Sequence, residues 1–482
     1  MIKINKKKLE KVLPNAVRCV AFLILTFVLI VRTYDVLSWK DTLGDYLSSV
    51  EQLYSTEDDM MDVVFMGSSH TYCSISPALL WGENGISAFN MTTSGQDKDS
   101  TYHYLVELLK TQSPKVVCVE LYGLTFEQHS VEGNRHRNMM GMPLSQNSIA
   151  LIDEHVQDEQ SRIDYKLRWP IIHTRYKELQ MYDFVEYDFS QYGRGVDLSY
   201  YARQAIYPSG AMGYYFADEL RETNKEWLDK LYQLSIDEGF DLVLFMAPAV
   251  VSHVDQGQIN AAVQYAQERG ITIYDFNRKA VELGFDYSTD FIDDYHLNGY
   301  GAEKITRYFA DFFKENYDLE DHRGDEDYYQ WEDSYTRFLQ VKDAHDLKQQ
   351  QTFDVFILQL QKMQNITCVV SFEGEYWKKT PSQYIAWMLG MTDEQYQKGG
   401  TYLYQYGTLT EILDNTSKEV YIQELSEHDT LKVQNMALAD SPKGNNEDLM
   451  INMDVVGVCT DGVNFVVYDH ITNQVIDTRG FY

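Results

Sequence analysis

Two things are scarce in this chain, cysteine and positive charge. The 482 residues hold five cysteines, Cys19, Cys73, Cys118, Cys368 and Cys459, and no CxxC pair, which argues against a zinc site. Lys and Arg number 41 against 73 Asp and Glu, a formal charge of -32. A nucleic-acid partner is excluded on that balance, because phosphate contacts need cations. A highly anionic polymer is disfavoured as a tight partner, and a solvated surface is the plain reading. His129, His136, His155 and His173 lack HxH or HxxxH spacing. No metal and no cofactor is expected.

What is present is a globular composition, 44% apolar and 24% charged, long enough for two or three domains. The 37 tyrosines suit carbohydrate contact and suit half-buried packing equally. Cys118 falls in a strand-like run and reads as core. Cys368 and Cys459 share one domain and either pair outside the cell or stay as two buried thiols.

Residues 1–40 stand apart. Lys3, Lys6, Lys7, Lys8, Lys11 and Arg18 precede Cys19–Val31, a stretch without a charge. Ala16 and Val17 extend it, since Arg18 can snorkel to the interface. The cations place the N-terminus in the cytoplasm. Arg32-Thr33-Tyr34-Asp35 is a poor cleavage site. The expectation is an uncleaved signal anchor, single-pass in the cell membrane, with everything after about residue 40 extracellular. A cleaved signal peptide is the rival, and both give export.

The most informative stretch is Asp62–Tyr72. Val63–Met66 reads as a buried parallel strand. It breaks at Gly67 into Ser68-Ser69-His70, which places a hydroxyl at the carboxyl edge of a sheet, where α/β folds bind ligands. Further strands are expected at Ile86–Met91, Val116–Leu121, Leu242–Ala247 and Ile271–Phe276, with helices at Tyr102–Lys110 and Gln258–Arg269 between them. That alternation implies a parallel sheet with helices on both faces. A serine needs a base, and Asp293-Asp294-Tyr295-His296-Leu297-Asn298 supplies one. His70 is expected to face away as a turn residue.

Residues 124–235 interrupt the rhythm, with helical patterns at Ile149–Val156 and Arg162–Leu179. An insertion there forms either a lid or groove near the active edge or a structural cap. Residues 321–335 are dense in acid and read as a linker. Residues 336–482 read as a small α+β domain. Its strands are expected at Val355–Leu360, Thr367–Phe372, Tyr402–Tyr406, Val455–Cys459 and Val463–Tyr468, with Asp461-Gly462 as the turn between the last two and a helix at Pro381–Leu389.

Gly67-Ser68-Ser69, then Asn90-x-x-x-Ser94-Gly95, then Asp293-x-x-His296-Leu297-Asn298-x-x-Gly301 resembles, in order, the motif set of the SGNH/GDSL hydrolase superfamily over roughly residues 60–315. The resemblance implies a flavodoxin-like three-layer α/β/α sandwich for residues 41–320. It makes Ser69 the nucleophile, His296 the base and Asp293 its orienting carboxylate, with Asp294 the runner-up. The amides of Ser69 and Gly95 would form the oxyanion hole. Two departures stand out. Ser68 occupies the place of the family's usual Asp. The GxND block is missing, with Val119-Glu120-Leu121-Tyr122-Gly123 in its stead, so Tyr122 or a backbone amide would have to be the third oxyanion donor.

These features resemble the membrane-anchored branch of the superfamily, which includes the D-alanyl-lipoteichoic acid transfer protein and envelope polysaccharide O-acetyltransferases. The resemblance implies a serine esterase or O-acyltransferase acting on an acylated envelope glycan or small acyl ester, with a membrane-bound O-acyltransferase as partner. Hydrolysis and transfer share an acyl-serine intermediate, and the residues do not separate them. The other reading is a degenerate fold that binds a glycan or partner without chemistry. At the C-terminus, Gly462–Asp469 and Thr472–Thr478 resemble the interleukin-like EMT inducer domain, as do Ile366–Phe372 and Ala386–Gly390 in permuted order, which implies glycan or partner binding.

Overall fold

A computed structural model describes residues 6–38, 48–125, 136, 138–184, 198–206, 213–373, 382–414, 419–426, 429–434, 449–451, 454–455 and 462–481. The chain divides into two compact units, Met1–Ser334 and Tyr335–Tyr482.

In the first unit the apolar runs form five strands, β1 (Val63–Gly67), β2 (Ala88–Thr92), β3 (Val116–Glu120), β4 (Asp241–Met246) and β5 (Thr272–Asp275). All pair in parallel, in the order β2-β1-β3-β4-β5. The first four are buried along almost their whole length, as parallel strands covered on both faces must be. Alternation sends Val63 and Phe65 of β1 to one side. There they meet Ile305, Phe309 and Phe313 of the helix Gly299–Asn316. Phe309 stands edge-on to both Phe65 and Phe245, each at 5.3 Å between ring centres. Lys98–Leu108 packs on β1 and β2, and Glu222–Glu238 on β4, through buried Leu105, Leu108, Trp227 and Leu231. The strand order reverses at β1, so its carboxyl end is the crevice where such sheets hold ligands.

Lys6–Leu37 is one helix, and its segment Val17–Leu37 is long and apolar enough to cross a membrane or to serve as a signal sequence. The expected helix Arg162–Leu179 is instead three pieces, Glu159–Leu167, Trp169–Ile172 and a 3-10 turn His173–Lys177. Arg168 breaks it, with φ at +61°, just ahead of Pro170, which cannot donate to a preceding turn.

The acidic stretch expected to be a linker is folded. Trp331 is fully buried and donates from its indole nitrogen to the Ala88 carbonyl at 2.8 Å. Trp81 donates to Glu332 at 2.9 Å, and His322 lies 2.8 Å from Asp62. A helix, Tyr329–Gln349, starts inside the stretch. The buried Trp331 and the bond from Trp81 to Glu332 outweigh the solvation of the surrounding carboxylates.

The second unit has a five-stranded antiparallel sheet and a four-stranded one. The larger is built of Ile366–Glu373, Gly400–Gln405, Thr408–Leu413, Gly462–Asp469 and Gln474–Phe481. The run Val355–Leu360, expected to be a strand, lies in a helix, Phe353–Leu360. Phe356, Ile357 and Leu360 are buried while Val355 and Leu358 are exposed, which is helical spacing in a segment too apolar to show it by composition. Most of the expected hairpin at Asp461-Gly462, residues 456–461, lies outside the described residues. Gly462–Asp469 pairs with Ile366–Glu373 and Gln474–Phe481, while Asp454–Val455 belongs to the other sheet. Cys368 is buried with a free thiol, and Cys459 lies outside the described residues.

Candidate active site

The end of β1 is shaped by Gly67, with φ at +142°. A methyl group there would sit 2.4 Å from Thr71 Oγ1 and 3.0 Å from Glu120 Cβ, so glycine is the residue that fits. Ser68 caps the short turn Ser69–Tyr72 by accepting from the His70 amide at 3.4 Å. A small hydroxyl therefore does local work where the superfamily pattern has Asp. Ser69 opens that turn with its side chain partly exposed.

Its partner arrives 227 residues later, from a loop closed by Phe291 pairing with Leu297 and by Ile292 donating to the His296 carbonyl at 3.0 Å. Asn298 ends the loop. It caps the helix Gly299–Asn316 through Gly301 N at 3.2 Å and donates to Thr289 O at 2.6 Å. At Gly301 a methyl would come within 2.4 Å of the Asp290 carbonyl. The Asn298-x-x-Gly301 spacing thus builds the base of the loop.

Ser69 Oγ and His296 Nε2 are 2.8 Å apart. His296 Nδ1 lies 2.9 and 3.0 Å from the two Asp293 oxygens. The amides of Tyr295 and His296 both donate to Asp293 Oδ1 at 2.8 Å, which fixes the carboxylate independently of the imidazole. Burial pushes the Asp293 carboxyl upward, but the bonds from His296 and those amides outweigh it and hold it below the ordinary range. Ser69, His296 and Asp293 therefore form one hydrogen-bonded line. Such a line can remove a proton from the hydroxyl and return it to a leaving group.

Asp294, the runner-up orienter, is engaged elsewhere. Its Oδ1 accepts from the Ile206 amide at 2.8 Å, and its carbonyl from Val250 at 3.0 Å. It clasps the segment 198–206 onto the loop. Arg203 and Ala205 add bonds at 2.8 Å to the carbonyls of Phe291 and Tyr287.

Gly95, with φ at +60°, lies on the turn after β2. Tyr72 Oη and Ser94 Oγ, 3.0 Å apart, tie that turn to the one bearing Ser69. A residue without a sequence signal holds it from the other side. Asn138, wholly buried, donates to the Gly95 carbonyl at 3.2 Å and accepts from Thr93 Oγ1. It belongs to the insertion, and its only mark is being a polar residue ahead of Met139 and Met142, both fully buried.

Tyr122 does not offer its amide to the site, because that amide donates to Glu120 Oε2 at 2.8 Å. The other Glu120 oxygen accepts from Ala247 N at 3.3 Å. Burial lifts the Glu120 carboxyl to about 8 against those two bonds. The expectation for His70 is overturned. Its ring is buried, stacked on Tyr122 at 3.6 Å between centres and 4.9 Å from the His296 ring. Burial, then the nearby His296, hold it well below the usual imidazole range, so it stays neutral beside the base. The helical turn places residue 70 under the sheet edge rather than in solvent.

In the insertion, Gln146–His155 packs on Lys98–Leu108. His155 lies 3.3 Å from Asp97, His136 3.1 Å from Tyr165 Oη, and His173 bonds the Pro170 carbonyl at 2.7 Å. His129, Arg135 and Arg137 lie outside the described residues. Among the described residues no group of three or more His, Cys, Asp or Glu could hold a metal ion. Comparison with protein-family models and with curated proteins finds no match.

Proposed function

We propose that this chain is a membrane-anchored serine esterase or O-acyltransferase of the SGNH type, working outside the cytoplasm on acyl esters of envelope glycans. The observation that carries this reading is the line from Ser69 Oγ through His296 to Asp293, at 2.8 and 2.9 Å. In the proposed reaction His296 takes the Ser69 proton as Oγ attacks the acyl carbonyl. The proton then goes to the departing alcohol, leaving an acyl-serine. Water or a sugar hydroxyl, deprotonated by His296, releases the acyl group. Asp293 holds the imidazole tautomer. The amides of Ser69 and Gly95 face the oxyanion, each contributing about 3 kcal/mol. A membrane-bound O-acyltransferase is the proposed partner that supplies the acyl group.

The apolar helix is proposed as a retained anchor. Arg175 of the insertion bonds the carbonyls of Leu37 and Ser38, so cleavage just after Ser38 would strip a buried cation of two acceptors.

The test uses the full chain in detergent, with an acetyl ester of a chromogenic phenol and a fluorophosphonate probe, against Ser69→Ala. Ser69-dependent turnover and labelling are expected. Acylated glycan in the presence of an acceptor selects transfer, and free acid alone selects hydrolysis. The absence of both turnover and labelling would sink the reading.

A further inference from the structure

The segments Trp169–Ile172, His173–Lys177 and Met181–Phe184 all touch the apolar helix near its end. Tyr34 of the helix meets Trp169 edge-on at 5.8 Å. Arg175, itself buried, donates to Leu37 O at 3.3 Å and to Ser38 O, and pairs with buried Asp183 at 2.6 Å. A helix end leaves its last carbonyls without partners, and a guanidinium is suited to them in charge and geometry. The insertion therefore grips the helix where it leaves its apolar stretch.

Around that grip four large apolar side chains are exposed, Leu167 at 60%, Trp169 at 37%, Tyr176 at 62% and Phe184 at 64%. Of the four cations in residues 166–177, Arg168 and Arg175 are buried and bonded within the protein, Lys166 is half-buried and pairs with Asp153, and Lys177 is exposed. Exposed aromatic rings beside an exposed lysine, Lys177, and continuous with an apolar helix match the chemistry of the lipid headgroup layer, where amphipathic rings settle and cations meet anionic lipid.

We propose that the collar formed by Leu167, Trp169, Tyr176 and Phe184 lies in the headgroup layer of the bilayer that holds the apolar helix. Lipid is thus the partner of this surface. The inference rests on the anchor part of the proposed function and is independent of its chemistry.

The full chain is reconstituted in phosphatidylcholine–phosphatidylglycerol vesicles carrying a doxyl quencher high or deep on the acyl chain. Tryptophan quenching is compared with that of Trp169→Phe, and then with Trp169→Phe carrying Tyr176→Trp. The shallow quencher is expected to dim the wild type at least twofold more than the deep one, to lose that component in Trp169→Phe, and to regain it with Tyr176→Trp. Equal shallow quenching in all three, with the protein resisting alkaline extraction, overturns the collar while keeping the anchor. Protein extracted by alkali, or lacking its first residues by mass, overturns the anchor instead. Loss of the shallow component together with a cross-linked dimer through Phe184 would make a second copy the occupant and overturn lipid.

Discussion

The Asn138 side-chain amide donates to the Gly95 carbonyl at 3.2 Å, and its oxygen accepts from Thr93, so one buried residue of the insertion spans the turn after β2. Gly95 is the proposed second oxyanion donor, and its amide direction depends on that turn. Asn138→Ala is expected to lower kcat for a small ester about 10- to 100-fold, with KM little changed, because a misplaced donor affects the transition state most. Asn138→Asp keeps the acceptor for Thr93 and loses the donor to Gly95, so it should fail similarly. Steady-state kinetics on both variants checks this, and a change confined to KM would speak against it.

Asp293 and Asp294 are adjacent and do different things. Asp293→Asn should leave the fold intact and lower kcat about 10⁴-fold by losing the imidazole tautomer. Asp294→Ala removes the acceptor for Ile206 N and should loosen residues 198–206. Hydrogen exchange on the two variants separates them. Faster exchange at Ile206 is expected in Asp294→Ala alone.

Gly67→Ala puts a methyl 2.4 Å from Thr71 Oγ1 on a backbone at φ +142°. Strain of this kind costs about 1–3 kcal/mol. Thermal unfolding should shift downward, and the serine turn should move enough to slow fluorophosphonate labelling. An unshifted melt would show that the turn relaxes freely.

Glu120 gives a pH signature. Its folded pKa of about 8 is raised above the ordinary 4.5, so the folded state holds a proton that the unfolded state has released. Stability then falls as pH rises from about 4.5 to about 8 and levels off above that, since the slope follows the difference in bound protons. In Glu120→Gln that slope is absent. Denaturant unfolding at four pH values between about 5.5 and 8.5 measures the gap between the two proteins, which should shift against the wild type as pH rises. Parallel curves would mean that Glu120 is ionised throughout.

The five parallel strands were legible because each is a short apolar run bounded by turn residues, and the order of Ser69, Gly95, Asp293 and His296 along the chain was enough to suggest one site. Three features escaped. Phe353–Leu360 is so uniformly apolar that its period is masked. The residues around Trp331 carry so much charge that its one buried indole was outvoted. Asn138 acts through a tertiary contact across 43 residues, and His70 is set by the helical turn at Ser69, neither of which leaves a local pattern.

The grip of Arg175 on Leu37 and Ser38 has a mechanical meaning. A catalytic body tied to its anchor by a bare tether would roam over a hemisphere set by tether length. If the apolar helix is the proposed anchor, the body holds it directly, upstream of residues 39–47, so the length of that segment does not set the reach of Ser69. Substrates would have to come to a fixed height above the bilayer, and lengthening 39–47 with a polar spacer should leave the range of accessible glycan lengths unchanged while Arg175 remains.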